Sequence, residues 1–183
     1  MFVTVEDMST HHRIAIIGAG LGGLTAARVL QVNGIDAALF ELEPSAETRV
    51  QGGMLDIHEE NGQQALRAAG LYDEFRKIIH AGGEAMRLVG SDGTVQVSRA
   101  DDGDGGRPEV DRGDLRKLLL GSLRDGAIHW GKKVVGARSL GDGRHEVSFA
   151  DGSAITMAAQ TRSPKRTVRV SGLQSLFGSL PDL

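Results

Sequence analysis

This sequence predicts an α/β fold, and three observations carry that expectation. The first is an apolar run, Ile14 to Ile17, that leads directly into a Gly-x-Gly-x-x-Gly turn at Gly18, Gly20 and Gly23. The second is the stretch that follows, Leu24 to Val32, where apolar residues recur at helical spacing and Asn33-Gly34 supplies a stop. The third is a short apolar run, Ala37 to Phe40, closed by the acid Glu41. Strand, glycine turn, helix and strand in this order form the dinucleotide-binding unit of a Rossmann-like domain. In such a unit Gly18 makes the tight turn, Gly20 admits a pyrophosphate close to the backbone, and Gly23 lets the helix pack against the strand. The start of the helix offers free N–H groups and a positive dipole end to the phosphates. Glu41 stands where a carboxylate binds ribose hydroxyls, and its charge disfavours a 2′-phosphate there. A plain βαβ unit with glycines at its turn is the simpler alternative. The common register of three glycines and Glu41 speaks against it.

Bulk properties narrow the class. The chain has 183 residues, 40% hydrophobic and 25% charged, which suits one domain with a proper core and room for a small appendage. Its formal net charge is −3, so no basic surplus points to nucleic acid or an anionic membrane. Cysteine is absent, which excludes disulfides, thiolate catalysis and cysteine metal sites and fits a cytoplasmic protein. No apolar run approaches the roughly 20 residues of a membrane-spanning helix. Residues 1–12 carry Glu6 and Asp7 without a long apolar stretch and read as a loose leader, neither signal peptide nor anchor.

Residues 44–56, marked by Pro44 and Gly52-Gly53, read as a loop long enough to line a site. Helices are expected over 61–69 and 71–79. A hairpin is expected over 86–97, turning at Asp92-Gly93. The polar loop 101–107 resembles a calcium loop only superficially, because its spacing fails the EF-hand pattern. A helix over 115–123 carries Leu115, Leu118, Leu119 and Leu123 on one stripe, with Asp114 as its N-cap. Short strands are expected over 127–130, 133–139 and 146–149. From Met157 the character changes: Arg162, Lys165, Arg166 and Arg169 stand against the single acid Asp182. His58 and His80 read as surface or structural histidines, and no Ser–His–Asp or metal-ligand constellation is visible.

Several segments together carry a family resemblance. They are Ile14 to Leu24, Gln31 to Asp36 leading to Glu41, Gly52 to His58, Gly62-Gln63, Ala69 to Leu71, and Glu109 to Arg116. In these the chain resembles the FAD-dependent aromatic-hydroxylase-type monooxygenases, above all the branch of the tetracycline-inactivating enzymes, over roughly residues 13–156. The resemblance implies a glutathione-reductase-like FAD-binding domain with a small β-appendage, with 157–183 as an atypical tail. It implies that Gly18, Gly20 and Gly23 hold the FAD pyrophosphate and Glu41 the adenosine ribose. By the same resemblance Arg49 serves NADPH, while Asp56 and Arg112 contact the flavin cofactor. An arginine suits that role because its planar fork of donors matches phosphate or carbonyl oxygens. The implied activity is NADPH-dependent hydroxylation of a small aromatic or polyketide-like substrate, the flavin carrying the redox chemistry.

Two departures qualify what the resemblance implies. Leu42 stands where the family usually has an arginine directly after the ribose-binding acid. After Thr156 the family's Asp-Gly and Gly-Asp-Ala segments have no counterpart, so the chain reads as an N-terminal part, truncated or shifted out of frame near residue 157. Two alternatives stay open: a catalytically inactive FAD-binding remnant, and a simple NAD(P)-binding Rossmann protein.

Overall fold

The glycine turn sits at the end of a short parallel sheet, as its sequence dictates. The computed structural model describes residues 10–12, 14–48, 52–83, 85–100, 106–141 and 143–158. Strands β1 (Thr10–His12) and β2 (Ala15–Ile17) precede helix α1 (Leu21–Val32), and β3 (Ala38–Phe40) follows it. Strand β3 pairs in parallel with β2 on one side and with β8 (Ile128–His129) on the other. Helix α1 ends because Gly34 turns left-handed at φ +67°, and Ile35 N then donates to Leu30 O at 2.9 Å. A Cβ would disfavour that conformation, so the Asn33-Gly34 stop acts as its chemistry requires.

Strand β3 divides two cores. Leu39 belongs to one, with Leu24 of α1, Leu66, Phe75, Val110, Leu115 and Leu119. Ala38 and Phe40 belong to the other, with Val147, Phe149 and Ile155. Alternation along a strand sends neighbouring side chains to opposite faces, and a parallel strand covered on both faces is apolar throughout. All three residues of β3 are accordingly buried.

Between these layers the chain runs through β4 (Met54–Asp56), a π-helical turn over Glu59–Gln63, α2 (Gln64–Ala68) and α3 (Tyr72–Arg76). Strands β5 (Met86–Val89) and β6 (Val95–Arg99) form the expected hairpin, with Gly93 at φ +84° in its turn. Strand β7 (Glu109–Asp111) pairs antiparallel with β4 and feeds α4 (Arg112–Gly121). The chain closes on an antiparallel meander of β9 (Val134–Gly141), β10 (Arg144–Phe149) and β11 (Ala154–Ala158), with β1 pairing in parallel along β11.

Several boundaries depart from the sequence reading. Residues 10–12, read within a leader, form β1, and 54–56, read within a loop, form β4. The helix expected over 61–69 is a π-helical turn followed by a short α2. The helix expected over 71–79 stops at Arg76, because Ile79 bridges Val110 and His80 N donates to Glu109 O at 2.8 Å. Pairing with β7 outcompetes helical continuation there. Helix α4 starts three residues early. Its N-cap is Asp111, whose carboxylate accepts from Gly113 N (2.7 Å) and Asp114 N (3.1 Å), while Asp114 pairs with Lys117 at 3.0 Å. Strand β11 reaches Ala158, into the stretch read as tail. Residues 101–105 of the polar loop and residues 159–183 lie outside the described residues.

The meander carries a testable pH dependence. Lys132 Nζ lies 2.5 Å from Asp151 Oδ2, and Arg138 Nε lies 2.7 Å from Glu146 Oε1. The Lys132 hydrogen bond holds the Asp151 carboxyl below its usual range, and Arg138 does the same for Glu146. A carboxylate with a lowered folded-state pKa stabilises the fold fully above its unfolded value, about 3.9 for Asp and 4.3 for Glu. That contribution disappears as pH falls through the folded-state value. Thermal melts from pH 7 to pH 3 should therefore show a fall below about pH 4 that is smaller in a Glu146→Gln, Asp151→Asn double variant.

Candidate functional site

The turn's geometry follows from its glycines. Gly18 adopts φ +99°, and its N–H donates to Phe40 O at 2.8 Å, tying the turn to the end of β3. A Cβ built on Gly23 would lie 2.0 Å from Gly18 O and 3.4 Å from Ile16 Cγ2, so only glycine lets α1 cross β2 this closely. Cβ positions on Gly18 and Gly20 meet nothing within 4 Å. The outer side of the turn is thus open ground of the kind a pyrophosphate needs. Gly20 is the N-cap of α1, which has no side chain capping its N-terminus and no acid in its first turn. Its orphan N–H groups and positive dipole end face that open ground unneutralised.

Glu41 ends β3 beside this turn and is only 8% exposed. Its Oε2 accepts from Ala19 N, and its Oε1 accepts from Glu43 N at 3.1 Å. Its backbone is braced as well: Glu41 N donates to His129 O at 2.9 Å, and Lys132 N donates to Glu41 O at 2.7 Å. Phe40 and His129 stack with ring centroids 4.8 Å apart. Gly18, Gly20, Gly23 and Glu41 are therefore brought together at the carboxyl ends of β2, β3 and β8. That is the edge at which open α/β sheets bind ligands. Leu42, directly after Glu41, is itself 59% exposed.

Asp56 and Arg112 lie at opposite ends of the β4–β7 ribbon, since Asp56 pairs with Glu109 and Met54 with Asp111. Asp56 ends β4 and lies 3.8 Å from Arg107 Nη1. Arg112 opens α4, its N–H donating to Gly53 O at 2.9 Å and its side chain exposed. Asp111 is engaged as the helix cap and Asp114 with Lys117. Arg112 therefore has neither acid as an ion-pair partner. Arg49 lies outside the described residues.

Two residues with no assigned role in the sequence reading brace these loops. Gln63 is buried; its Nε2 donates to Ile57 O (3.0 Å) and Gly106 O (3.3 Å), and Tyr72 donates to its Oε1 at 3.2 Å. Arg116, also buried, donates from Nη1 to Ala46 O at 2.9 Å and steadies the loop after Glu41. Both fall inside segments that carry the family resemblance, which was the available signal. Among the described residues no group of three His, Asp or Glu could hold a metal ion. Among them, too, no helix is long and apolar enough to cross a membrane.

No family model matches the chain. A match of 36% identity over 154 residues joins it to the monooxygenase asqM of Emericella nidulans, covering 79% of this chain and 34% of that one. Among solved structures, Klebsiella pneumoniae HpxO complexed with FAD and uric acid superposes at TM-score 0.61 and 25% identity, over 84% of this chain and 39% of that one. The chain is a homologue of the FAD-dependent monooxygenases. Tetracycline destructase Tet(51) is another structural neighbour of this monooxygenase homologue, with TM-score 0.59 and 25% identity over 80% of this chain and 36% of the other. The monooxygenase homologue spans about a third of the length of the curated relatives it matches.

Proposed function

We propose that this chain is the FAD-binding part of an NADPH-dependent monooxygenase that hydroxylates a small aromatic or polyketide-like substrate. One observation carries the reading: an uncapped helix N-terminus and two sterically open glycines lie beside a buried, braced Glu41. Those residues fit a dinucleotide. Gly18, Gly20 and the first turn of α1 hold the pyrophosphate, and Gly23 keeps α1 close enough to do so. A carboxylate has about four lone-pair sites, so Glu41 can take a ribose hydroxyl while still accepting from the backbone. Asp56 and Arg112 supply an acceptor and a forked donor to the flavin end, and Arg49 supplies a cation to NADPH. When bound, FAD supplies the redox chemistry with NADPH and O2; the chain's residues bind and orient it. In this reading residues 13–156 form a Rossmann-like domain of the glutathione-reductase kind.

A second reading is FAD retention without turnover. Titration of the purified chain with FAD, followed by flavin fluorescence, is expected to show saturable binding that Gly20→Glu abolishes without lowering the Tm. Absence of saturable binding by the folded chain would overturn the proposal. NADPH oxidation stimulated by an aromatic substrate separates the active form from the inactive one.

A further inference from the structure

We propose that Arg116 positions the Glu41 carboxylate, acting through the loop that follows Glu41 and not by touching a ligand. That the positioned carboxylate serves a ribose rests on the functional reading above.

The helix that carries Arg116 sets its environment. Arg116 stands one turn beyond Arg112 in α4. Its neighbours Leu115 and Leu119 enter the core, and Arg116 is buried with them at 8% exposure. A guanidinium brings five donors and a fixed charge, and burial leaves both to be satisfied by the protein. Here Nη1 donates to Ala46 O at 2.9 Å, while the buried Nε has no hydrogen-bond partner among the described residues. Among those residues no carboxylate lies within 4.0 Å of the group. A buried charge held so sparsely does little for the fold, since an apolar side chain of similar volume is often neutral or stabilising in its place. What the arginine secures is a single point of a single loop, 70 residues away.

That point belongs to a chain of contacts leading to Glu41. The segment 131–132 fixes the entry of the loop: Lys132 N donates to Glu41 O at 2.7 Å, and Gly131 N donates to Glu43 O at 2.8 Å. Arg116 fixes its exit at Ala46 from the side of α4. Glu43 donates its own N–H to Glu41 Oε1 at 3.1 Å, and Glu41 Oε2 accepts from Ala19 N in the glycine turn. The carboxylate is thus held at both oxygens, and one of its donors is a backbone N–H placed by the loop. Only Pro44, its φ set by its ring, and Ser45 separate Glu43 from Ala46. A shift at Ala46 therefore passes along a short, stiff span to the donor on Glu41.

The test uses the full chain with Arg116→Met and Arg116→Lys, first without nucleotide. Amide hydrogen exchange is read by NMR at Glu43, and at Leu39 in the core as the control. In Arg116→Met, exchange at Glu43 should speed up about fivefold or more, while exchange at Leu39 stays unchanged and the Tm stays within about 2 °C. Arg116→Lys keeps a donor for Ala46 O and should restore most of the protection. Unchanged exchange at Glu43 in Arg116→Met overturns the proposal. So does equal acceleration at Leu39 with a lower Tm, or failure of Arg116→Met to fold, because Arg116 then braces the fold as a whole. FAD titration measures the consequence. Arg116→Met should weaken FAD binding about tenfold in the native background and less than about threefold beside Glu41→Ala, because both changes act on one contact. Equal losses in the two backgrounds overturn the route through Glu41. FAD binding with no effect of Arg116→Met on Glu43 removes only this proposal, and faster exchange at Glu43 in a chain that binds no FAD removes only the functional reading.

Discussion

Gly23→Ala is expected to break the glycine turn rather than fill a gap in it. The new methyl would sit 2.0 Å from Gly18 O, and the neighbour is backbone, which cannot swing away as a flexible side chain can. Helix α1 must then lift from β2, loosening the contacts of Leu24 and Ala27 with the core. Overpacking of this kind costs about 1–3 kcal/mol, and more where backbone must move. The gain of up to about 1 kcal/mol from replacing a helical glycine by alanine offsets only part of that. A thermal melt should show a Tm several degrees lower, since about 1 kcal/mol shifts the Tm of a domain this size by roughly 2–8 °C. FAD affinity should fall in the same variant. Gly20→Ala is the informative comparison, because its methyl meets nothing within 4 Å. It should keep the Tm and impair only the approach of the phosphates. Equal Tm values for the two variants would show that the close crossing of α1 over β2 is not what Gly23 secures.

Removing the Glu41 carboxylate should destabilise the chain even without nucleotide. Glu41→Ala leaves Ala19 N and Glu43 N without their acceptor, and Ala19 is buried. Leaving a buried donor unpaired costs about 1–3 kcal/mol, and bonds to a charged acceptor lie at the upper end. Glu41→Gln retains one acceptor oxygen and should lose less. Denaturant melts of the ligand-free chain rank the variants as wild type, Gln, Ala, and FAD titration then measures a different quantity. Loss of a charge-assisted bond to a ribose hydroxyl should weaken binding by about ten- to a hundredfold in both variants. Glu41→Ala melting like wild type would mean that the carboxylate does not brace the turn. Undiminished FAD binding by both variants would mean that it does not hold the ribose.

The glycine turn and Glu41 were legible because their requirements are local. Gly18 needs a left-handed φ, Gly23 needs a hydrogen where other residues have Cβ, and both demands attach to single positions in a run of a few residues. The Asn33-Gly34 stop and the Asp92-Gly93 hairpin were legible for the same reason. Asp56 and Arg112 were singled out only through the resemblance of whole segments. The ribbon that carries them is built by pairing between β4 and β7, whose residues lie far apart in the chain.

The helix cap shows where local reading stops. Asp111 and Asp114 are both acids before an apolar stripe, and propensity alone does not rank them. Pairing of β7 with β4 ends at Asp111, leaving that residue extended and free to cap, so the helix starts there and Asp114 falls inside it. Strand β1 is a stronger case. Thr10–His12 has no alternating apolar pattern and becomes a strand through parallel pairing with β11 near the other end of the described chain.

By itself, then, the sequence determined the α/β class, the strand–turn–helix–strand unit and the places of the three glycines and Glu41 within it. Each of these follows from dihedral preference, helical or strand periodicity, or the size of one side chain. Only the tertiary structure decided where α4 and α3 begin and end, and that residues 10–12 and 154–158 pair. Those outcomes depend on which distant backbone edge is available to hydrogen-bond, a property of the assembled sheet and of no single segment.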